Sequence, residues 1–283
     1  MSPFVQRLTD LFGSPVTAQS ALSGGCVGDV RRVTLADGRR LVVKSGPAGG
    51  KLDLEGWMLE YLARQSALPV PKVHHGEPGL LVMDWIEAAG RLDSAAQAHA
   101  GHLVAGLHGV TATTFGLERD TLIGGLHQPN PATRHWVDFF RDHRLLHMAE
   151  EAERAGELPT DQRIRIDKLA AKLGEIIGEP SAPALLHGDL WGGNVLADQG
   201  QIAAFIDPAC FYGHPEIELA FTQLFGTFGP AFFDAYREDR AIEPGFFEER
   251  LALYNLYPLL VHVRLFGGSY LGSVKSTLDR FGV

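Results

Sequence analysis

Hydrophobic and polar positions divide the chain into two unlike parts. Near the start, Phe4, Leu8, Leu11 and Phe12 of MSPFVQRLTDLFG fall on one helical face. The stretch DVRRVTLADGRRLVVK holds two β-prone runs joined by Asp37-Gly38, a hairpin signal. KLDLEGWMLEYLARQ has helical spacing, and PKVHHGE and LLVMDWIE read as two more strands about Glu77-Pro78-Gly79. From residue 92 onward the pattern turns mostly helical, in SAAQAHAGHLVAGLHGV, HWVDFFRDHRLLHMAEEAERAG and IRIDKLAAKLGEIIG. One hairpin interrupts it, with NVLA and QIAAFI flanking Asp198-Gln199-Gly200, and then helices resume. The pattern predicts an α+β chain of two lobes. A small antiparallel β-rich lobe covers residues 1–87, and a larger, mainly helical lobe covers residues 88–283. The connector lies near residues 84–91.

Composition narrows the class. A length of 283 residues, 45% hydrophobic and 21% charged, suits an ordinary globular protein with a full core. No uncharged apolar run approaches the roughly 20 residues that span a bilayer, and the N-terminus lacks the pattern of a signal peptide. Cys26 and Cys210 make no disulfide framework, so a cytoplasmic location is expected. A net charge of −9 argues against nucleic acid as a partner and tolerates a cationic substrate.

The chemistry concentrates in LLHGDLWGGNVLADQGQIAAFIDPA, residues 185–209, where acids stand among apolar residues and glycines. Buried charges need partners. Asp189 and Asn194 make H-G-D-x-x-x-x-N, the catalytic-loop spacing of protein kinases with Gly188 in place of Arg. In such a loop the carboxylate accepts the proton of an attacking hydroxyl and the amide oxygen holds magnesium. Asp207, just past an apolar strand, is placed as a second metal contact, because magnesium takes hard oxygen ligands shared with phosphates. Lys44 ends the strand RRLVVK, where a phosphate-binding lysine belongs. On the next helix Glu55 shares an apolar stripe with Leu52, Leu59 and Leu62, so it requires a cation, and Lys44 is the obvious one.

The glycines of LSGGCVGDV (Gly24, Gly25, Gly28) would let backbone amides approach phosphates. Cys26 inside this loop reads either as a small filler or as a redox-responsive thiol that could bridge to a second molecule. GPAGGK, by contrast, is a residue short of a Walker loop and lacks its Ser/Thr, so it reads as a turn. His74, His75, His99 and His102 lack the ligand spacing of a metal site.

These motifs resemble the fructosamine/ketosamine kinase family, a branch of the protein-kinase-like fold shared with aminoglycoside phosphotransferases and choline kinases. HGDLWGGN is similar to the family's H-G-D-L-W-S-G-N, with Gly192 for Ser. IDPACFYGHPEIELAFTQLFG follows its I-D-P-A-x-x-Y-G-x-x-E-x-D-L-A-x-x-x-L-F-G. IGGLHQPN with HWVDFFRDHRL, and LYNLYPLLVHVRLFGGSY, resemble its helical-lobe segments.

The resemblance implies transfer of phosphate from ATP, with Mg2+, to the 3-hydroxyl of a ketosamine, the sugar adduct on a glycated amine or a glycated protein lysine. The 3-phosphate then decays and frees the amine. It implies Asp189 as proton acceptor, Asn194 and Asp207 on magnesium, and Lys44 held by Glu55 on the nucleotide. Gly24, Gly25 and Cys26 would lie over the phosphates, and Asp84, Trp85 and Ile86 would hold adenine through backbone groups. Trp191 and His262, the latter on a helical stripe with Asn255, Leu259 and Phe266, would line the sugar pocket. Two positions depart from the pattern. Glu218 stands for Asp in D-L-A, where the extra methylene alters any support of the catalytic loop, and Pro215 stands where Arg is common. Open alternatives are a kinase of another small cation (an aminoglycoside or amino alcohol) and a degenerate kinase serving as a nucleotide-binding scaffold. The sugar, whether ribulosamine, erythrulosamine or fructosamine, also stays open, as does monomer against redox-dependent dimer.

Overall fold

The structure, a computed structural model, describes residues 2–22 and 29–283. Gly24, Gly25, Cys26 and Gly28 therefore lie outside the described residues, and with them the phosphate-loop and redox expectations. The chain opens with α1 (Pro3–Phe12), capped by Ser2 and closed by Gly13 in the left-handed region. Strands β1 (Val16–Ala21), β2 (Asp29–Leu35) and β3 (Arg40–Ser45) precede α2 (Leu52–Gln65), which is followed by β4 (Val73–Glu77) and β5 (Leu80–Asp84). They form one antiparallel sheet in the order β1-β2-β3-β5-β4. Its two faces explain the two amphipathic helices. Leu8 of α1 covers Val33, Leu41, Val43 and Val82 on one side. On the other, Leu52 and Leu59 of α2 cover Leu81 and Met83. Of the predicted α1 stripe only Leu11 stays exposed.

After the connector come α3 (Ser94–His108) and a small hairpin, β6 (Thr121–Ile123) and β7 (Leu126–Gln128). Helix α4 (Trp136–Phe140) runs through a π-helical turn, Arg141–Leu146, into α5 (His147–Arg154). Then follow α6 (Thr160–Ala170), α7 (Leu173–Ile176) and β8 (Ala184–Leu186). The expected hairpin is β9 (Val195–Asp198) and β10 (Gln201–Phe205), turning through Gln199 and Gly200 with φ of 47° and 74°. β11 (Phe211–Gly213) pairs back onto β8. Helices α8 (Pro215–Leu224), α9 (Pro230–Asp239), α10 (Leu251–Tyr254), α11 (Leu256–Phe266) and α12 (Leu271–Arg280) finish the chain.

The β8–β11 ribbon is the element that positions the site. Its pairing, Phe211 with Leu186 and Gly213 with Ala184, brings the segment after Leu186 beside the segment before Phe211. Those two segments are His187-Gly188-Asp189 and Asp207-Pro208-Ala209. Neither strand was evident in the sequence, because three buried residues carry no alternation. Among the described residues no helix is long and apolar enough to cross a membrane.

Trp136 anchors the helical core. It is fully buried among Phe115, Phe139 and Phe140, and its indole N–H donates to the Tyr254 hydroxyl at 2.9 Å. Trp136→Ala should destabilise the protein by about 3–5 kcal/mol, through the cavity and the stranded hydroxyl. A denaturation midpoint equal to wild type would contradict this packing role.

Candidate active site

Lys44 is where the two parts of the chain meet electrostatically. Its ammonium lies 2.6 Å from Glu55 Oε1 on α2 and 2.6 Å from Asp207 Oδ1, which follows β10. Lys44 itself is 7% exposed. Burial by itself would lower its pKa, but the carboxylates of Glu55 and Asp207 more than reverse this, so the pKa is raised and the lysine stays charged. The sequence paired Lys44 with Glu55; that Asp207 completes the bridge is a tertiary fact.

Asp189 and Asn194 meet across one turn. The Asn194 side-chain amide donates to Asp189 Oδ2 at 3.0 Å and to the Asp189 carbonyl at 2.8 Å. Only the NH2 end can face a carboxylate, so Oδ1 of Asn194 is the end left over. Neither that oxygen nor Oδ2 of Asp207 accepts a hydrogen bond among the described residues. Burial pushes the Asp189 carboxyl up to about 7; the Asn194 amide opposes this, and the charges of Asp207 and Glu218 add to it. A carboxyl poised near neutrality suits proton transfer at physiological pH.

Backbone geometry holds these groups together. Asp207 has φ of 53°, and the only other described non-glycine residue with positive φ is Gln199 in its hairpin turn. Asp tolerates the left-handed region better than most residues, and such conformations concentrate at functional sites. Gly188 has φ of 86°, and a Cβ there would lie 2.1 Å from the Ala209 carbonyl oxygen. An arginine at this point is excluded by backbone contact. The Ala209 amide donates to the His187 carbonyl at 2.8 Å, so the 187–189 and 207–209 segments lie edge to edge.

The Glu-for-Asp departure resolves simply. Glu218, fully buried on α8, accepts from the Gly188 amide at 2.6 Å and shares a 2.9 Å hydrogen bond with His108 of α3. The other nitrogen of His108 meets the Tyr236 hydroxyl at 2.9 Å. Burial works against the Glu218 charge, yet His108, His187 and the Gly188 amide outweigh it and hold the carboxyl below its ordinary range. The longer side chain reaches the loop and is itself propped by a histidine and a tyrosine. Sequence reasoning missed this prop, although His108 in an apolar helix segment was a signal that a partner existed. Pro215 occupies the first turn of α8, where His214 caps the helix by accepting from the Glu216 amide at 3.1 Å.

The connector residues are partly committed already. The Asp84 amide donates to Lys72 O at 3.0 Å and its carboxylate meets His74 at 2.6 Å, while the Trp85 amide donates to Arg40 O at 3.1 Å. Of the three expected adenine contacts, only the Ile86 amide has no acceptor among the described residues.

Trp191 and His262 are brought to one surface. The indole lies over Gly193, where a Cβ would come within 2.3 Å of the ring, and its outer edge meets Phe225 at 6.4 Å between centroids. His262 packs on Phe225 at 4.8 Å and on Tyr270 at 4.9 Å. Its Nδ1 lies 2.7 Å from the Pro258 carbonyl, which makes Nδ1 the protonated nitrogen. Burial lowers the His262 pKa, so the ring is neutral at physiological pH.

A family model described as fructosamine kinase matches residues 2–282. The chain belongs to the fructosamine kinase family. It is 36% identical over 287 residues to the "Probable ketoamine kinase" of Synechocystis, covering 97% of this chain and 94% of that protein. A crystal structure of a "putative fructosamine-3-kinase" from Thermobifida fusca is 33% identical, covers 98% of this chain and 97% of that one, and aligns with a TM-score of 0.89. An aminoglycoside phosphotransferase, solved with ADP and hygromycin B, shares the fold at a TM-score of 0.70 and 17% identity, covering 98% of both chains. The two-lobed, protein-kinase-like fold expected from the sequence is the observed one.

Two measurements follow from the geometry. With the Asp189 carboxyl pushed up to about 7, an activity that uses its deprotonated form should rise with pH through about 7; a limb near pH 4, the ordinary carboxylate range, would refute the shifted carboxyl. Lys44→Met and Glu55→Gln should each lower kcat/KM, and the double variant should lose far less than the sum. Strict additivity would show that the two do not act as one unit.

Proposed function

We propose that the chain is an ATP-dependent ketosamine 3-kinase that works in the cytoplasm and leads to deglycation of amines or proteins. The observation carrying this reading is the single cluster of Lys44, Glu55, Asp189, Asn194 and Asp207 in a chain whose family match runs over residues 2–282. In this reading the nucleotide lies between residues 1–87 and residues 88–283. Lys44, held by Glu55, takes the phosphates, and the free Ile86 amide takes adenine. Asn194 Oδ1 and Asp207 are hard oxygen donors of the type magnesium prefers, so these residues would hold it. Bound there, it would neutralise charge on the phosphates as they transfer.

Asp189 takes the proton of the sugar 3-hydroxyl as that oxygen bonds to the γ-phosphorus and the bond to ADP breaks. Holding Asp189 and the phosphates in register supplies most of the rate enhancement, by orientation and by fixed charge. Trp191 and His262 line the sugar side. The resulting phosphate at C3 becomes allylic when the C1–C2 enaminol forms, so phosphate departs, and water then releases the amine. The aminoglycoside and amino-alcohol alternatives draw on a likeness of fold alone.

The test offers ATP and magnesium with fructosamine, ribulosamine and erythrulosamine derivatives of one amine, and follows ADP and free amine. At least one ketosamine should be turned over. Asp189→Asn should lower kcat by about 10²- to 10⁴-fold while nucleotide affinity stays within error. Wild-type rates from the asparagine variant, or turnover of aminoglycosides in preference to every ketosamine, would overturn the assignment.

A further inference from the structure

Three segments of the helical lobe that have no role in the site as described meet at one side chain. IGGLHQPN supplies Gln128 and Asn130, HWVDFFRDHRL supplies Arg144, and LYNLYPLLVHVRLFGGSY supplies Tyr257. All four residues are buried. Gln128 ends β7 opposite Thr121 of β6. Its side-chain nitrogen donates to the Thr121 hydroxyl at 2.8 Å and to the Ala209 carbonyl at 2.9 Å. Its oxygen accepts from the Tyr257 hydroxyl at 2.6 Å. A carbonyl can only accept, so Ala209 fixes which end of the amide faces it. Burial raises the Tyr257 pKa; Arg144 opposes this and Asp189 adds to it, so the hydroxyl keeps the proton it donates.

A charged anchor backs this contact. Asn130 donates to the same Thr121 hydroxyl at 2.7 Å and accepts from Arg144 at 2.6 Å. Arg144, in the π-helical turn, also donates to the Pro129 and His143 carbonyls at 2.7 and 2.8 Å. Its guanidinium lies 4.0 Å from the centre of the Phe211 ring, two residues beyond Ala209.

What Gln128 grips is the seam of the site. Continuing the β8–β11 register past Phe211 and Leu186 apposes Ala209 to Gly188. At that point side chains take over from the ladder. The Gly188 amide donates to Glu218, and the Ala209 carbonyl accepts from Gln128, its only donor among the described residues. This is the same oxygen that would lie 2.1 Å from a Cβ at Gly188. Asp189 follows Gly188 directly, and Asp207 stands two residues before Ala209.

We propose that Gln128 is a positioning residue for phosphoryl transfer: by holding the Ala209 carbonyl it keeps the 187–189 and 207–209 segments at one separation, and so keeps Asp189 and Asp207 in register. It acts through Ala209. This rests on the kinase reading above and adds a residue that the reading does not use. A buried carbonyl stripped of its donor is costly, and the segment relieves that cost by shifting toward another donor. A shift of about 1 Å between reacting groups is enough to cost on the order of 100-fold in rate.

The test uses two variants of similar volume, with ATP, magnesium and whichever ketosamine wild type turns over. Gln128→Met removes both the donor and the acceptor, whereas Gln128→Glu keeps the acceptor for Tyr257 and removes the donor. Each should lower kcat by about 10- to 100-fold, with KM for ATP and for the ketosamine within about twofold of wild type. Trp136→Phe, in the helical core, gives the comparison: it should lower the denaturation midpoint and keep kcat. Tyr257→Phe removes only the hydroxyl that orients the amide, and should fold and lose about threefold in kcat at constant KM. Gln128 variants that lose denaturation midpoint but keep kcat, as Trp136→Phe does, would overturn the positioning role and leave the kinase reading intact. A raised KM for the ketosamine at constant kcat would overturn it too, by making Gln128 a substrate contact. If neither Gln128 variant folds and Tyr257→Phe keeps the wild-type kcat, the network serves stability alone and the role falls. Absence of turnover by wild type with every ketosamine would instead remove the kinase reading, and the positioning role with it.

Discussion

One buried ammonium organises this protein. Lys44 leaves β3 and is held at 2.6 Å by a carboxylate from α2 and by another from the loop after β10. Burial alone would lower the pKa of a lysine so enclosed, the two carboxylates reverse this, and a buried charge stripped of a partner costs several kcal/mol. The sheet, the helix packed on it and the Asp207 loop must therefore keep one mutual arrangement. A nucleotide would compete for the same lysine with its phosphates, so the bridge to Asp207 is also the contact most directly exchanged on binding. That exchange would release Asp207 to take a cation.

Around this bridge the backbone does the positioning. Gly188 lies against the Ala209 carbonyl at a separation no other residue permits, and Glu218 ties the Gly188 amide to α8 and, through His108 and Tyr236, to α3 and α9. Asp189 is thus placed by contacts on both flanks rather than by its own side chain. Its carboxyl is left with a single described donor, the Asn194 amide, which is why burial can raise it toward neutrality. A polar network satisfied at every member holds a loop in one geometry, whereas a partly satisfied one would let it wander.

Much of this was legible in the residues. The β2–β3 and β9–β10 hairpins announced themselves through Asp37-Gly38 and Gln199-Gly200, because turns of that type need residues tolerant of positive φ. The helix α2 and its inward Glu55 followed from spacing, as an acid in an apolar stripe demands a cation. The H-G-D-x-x-x-x-N run named Asp189 and Asn194, since local chemistry of this kind is carried within one turn. What local pattern cannot carry is long-range pairing. The β8–β11 ribbon joins short, wholly buried strands whose periodicity is invisible, and with the β9–β10 hairpin it sets Asp207 near Asp189. The same holds for Lys44 with Asp207, 163 residues apart, and for Glu218 with His108, 110 apart. That Phe225 and Phe266 stay exposed was not legible, because an aromatic residue in a helical pattern reads as core until the fold leaves it in solvent. Sequence by itself singled out the candidate groups, because residue type and short spacing decide what a side chain can do. Tertiary structure decided which of them meet and which stay exposed, because burial and distance are properties of the packed chain and not of its order.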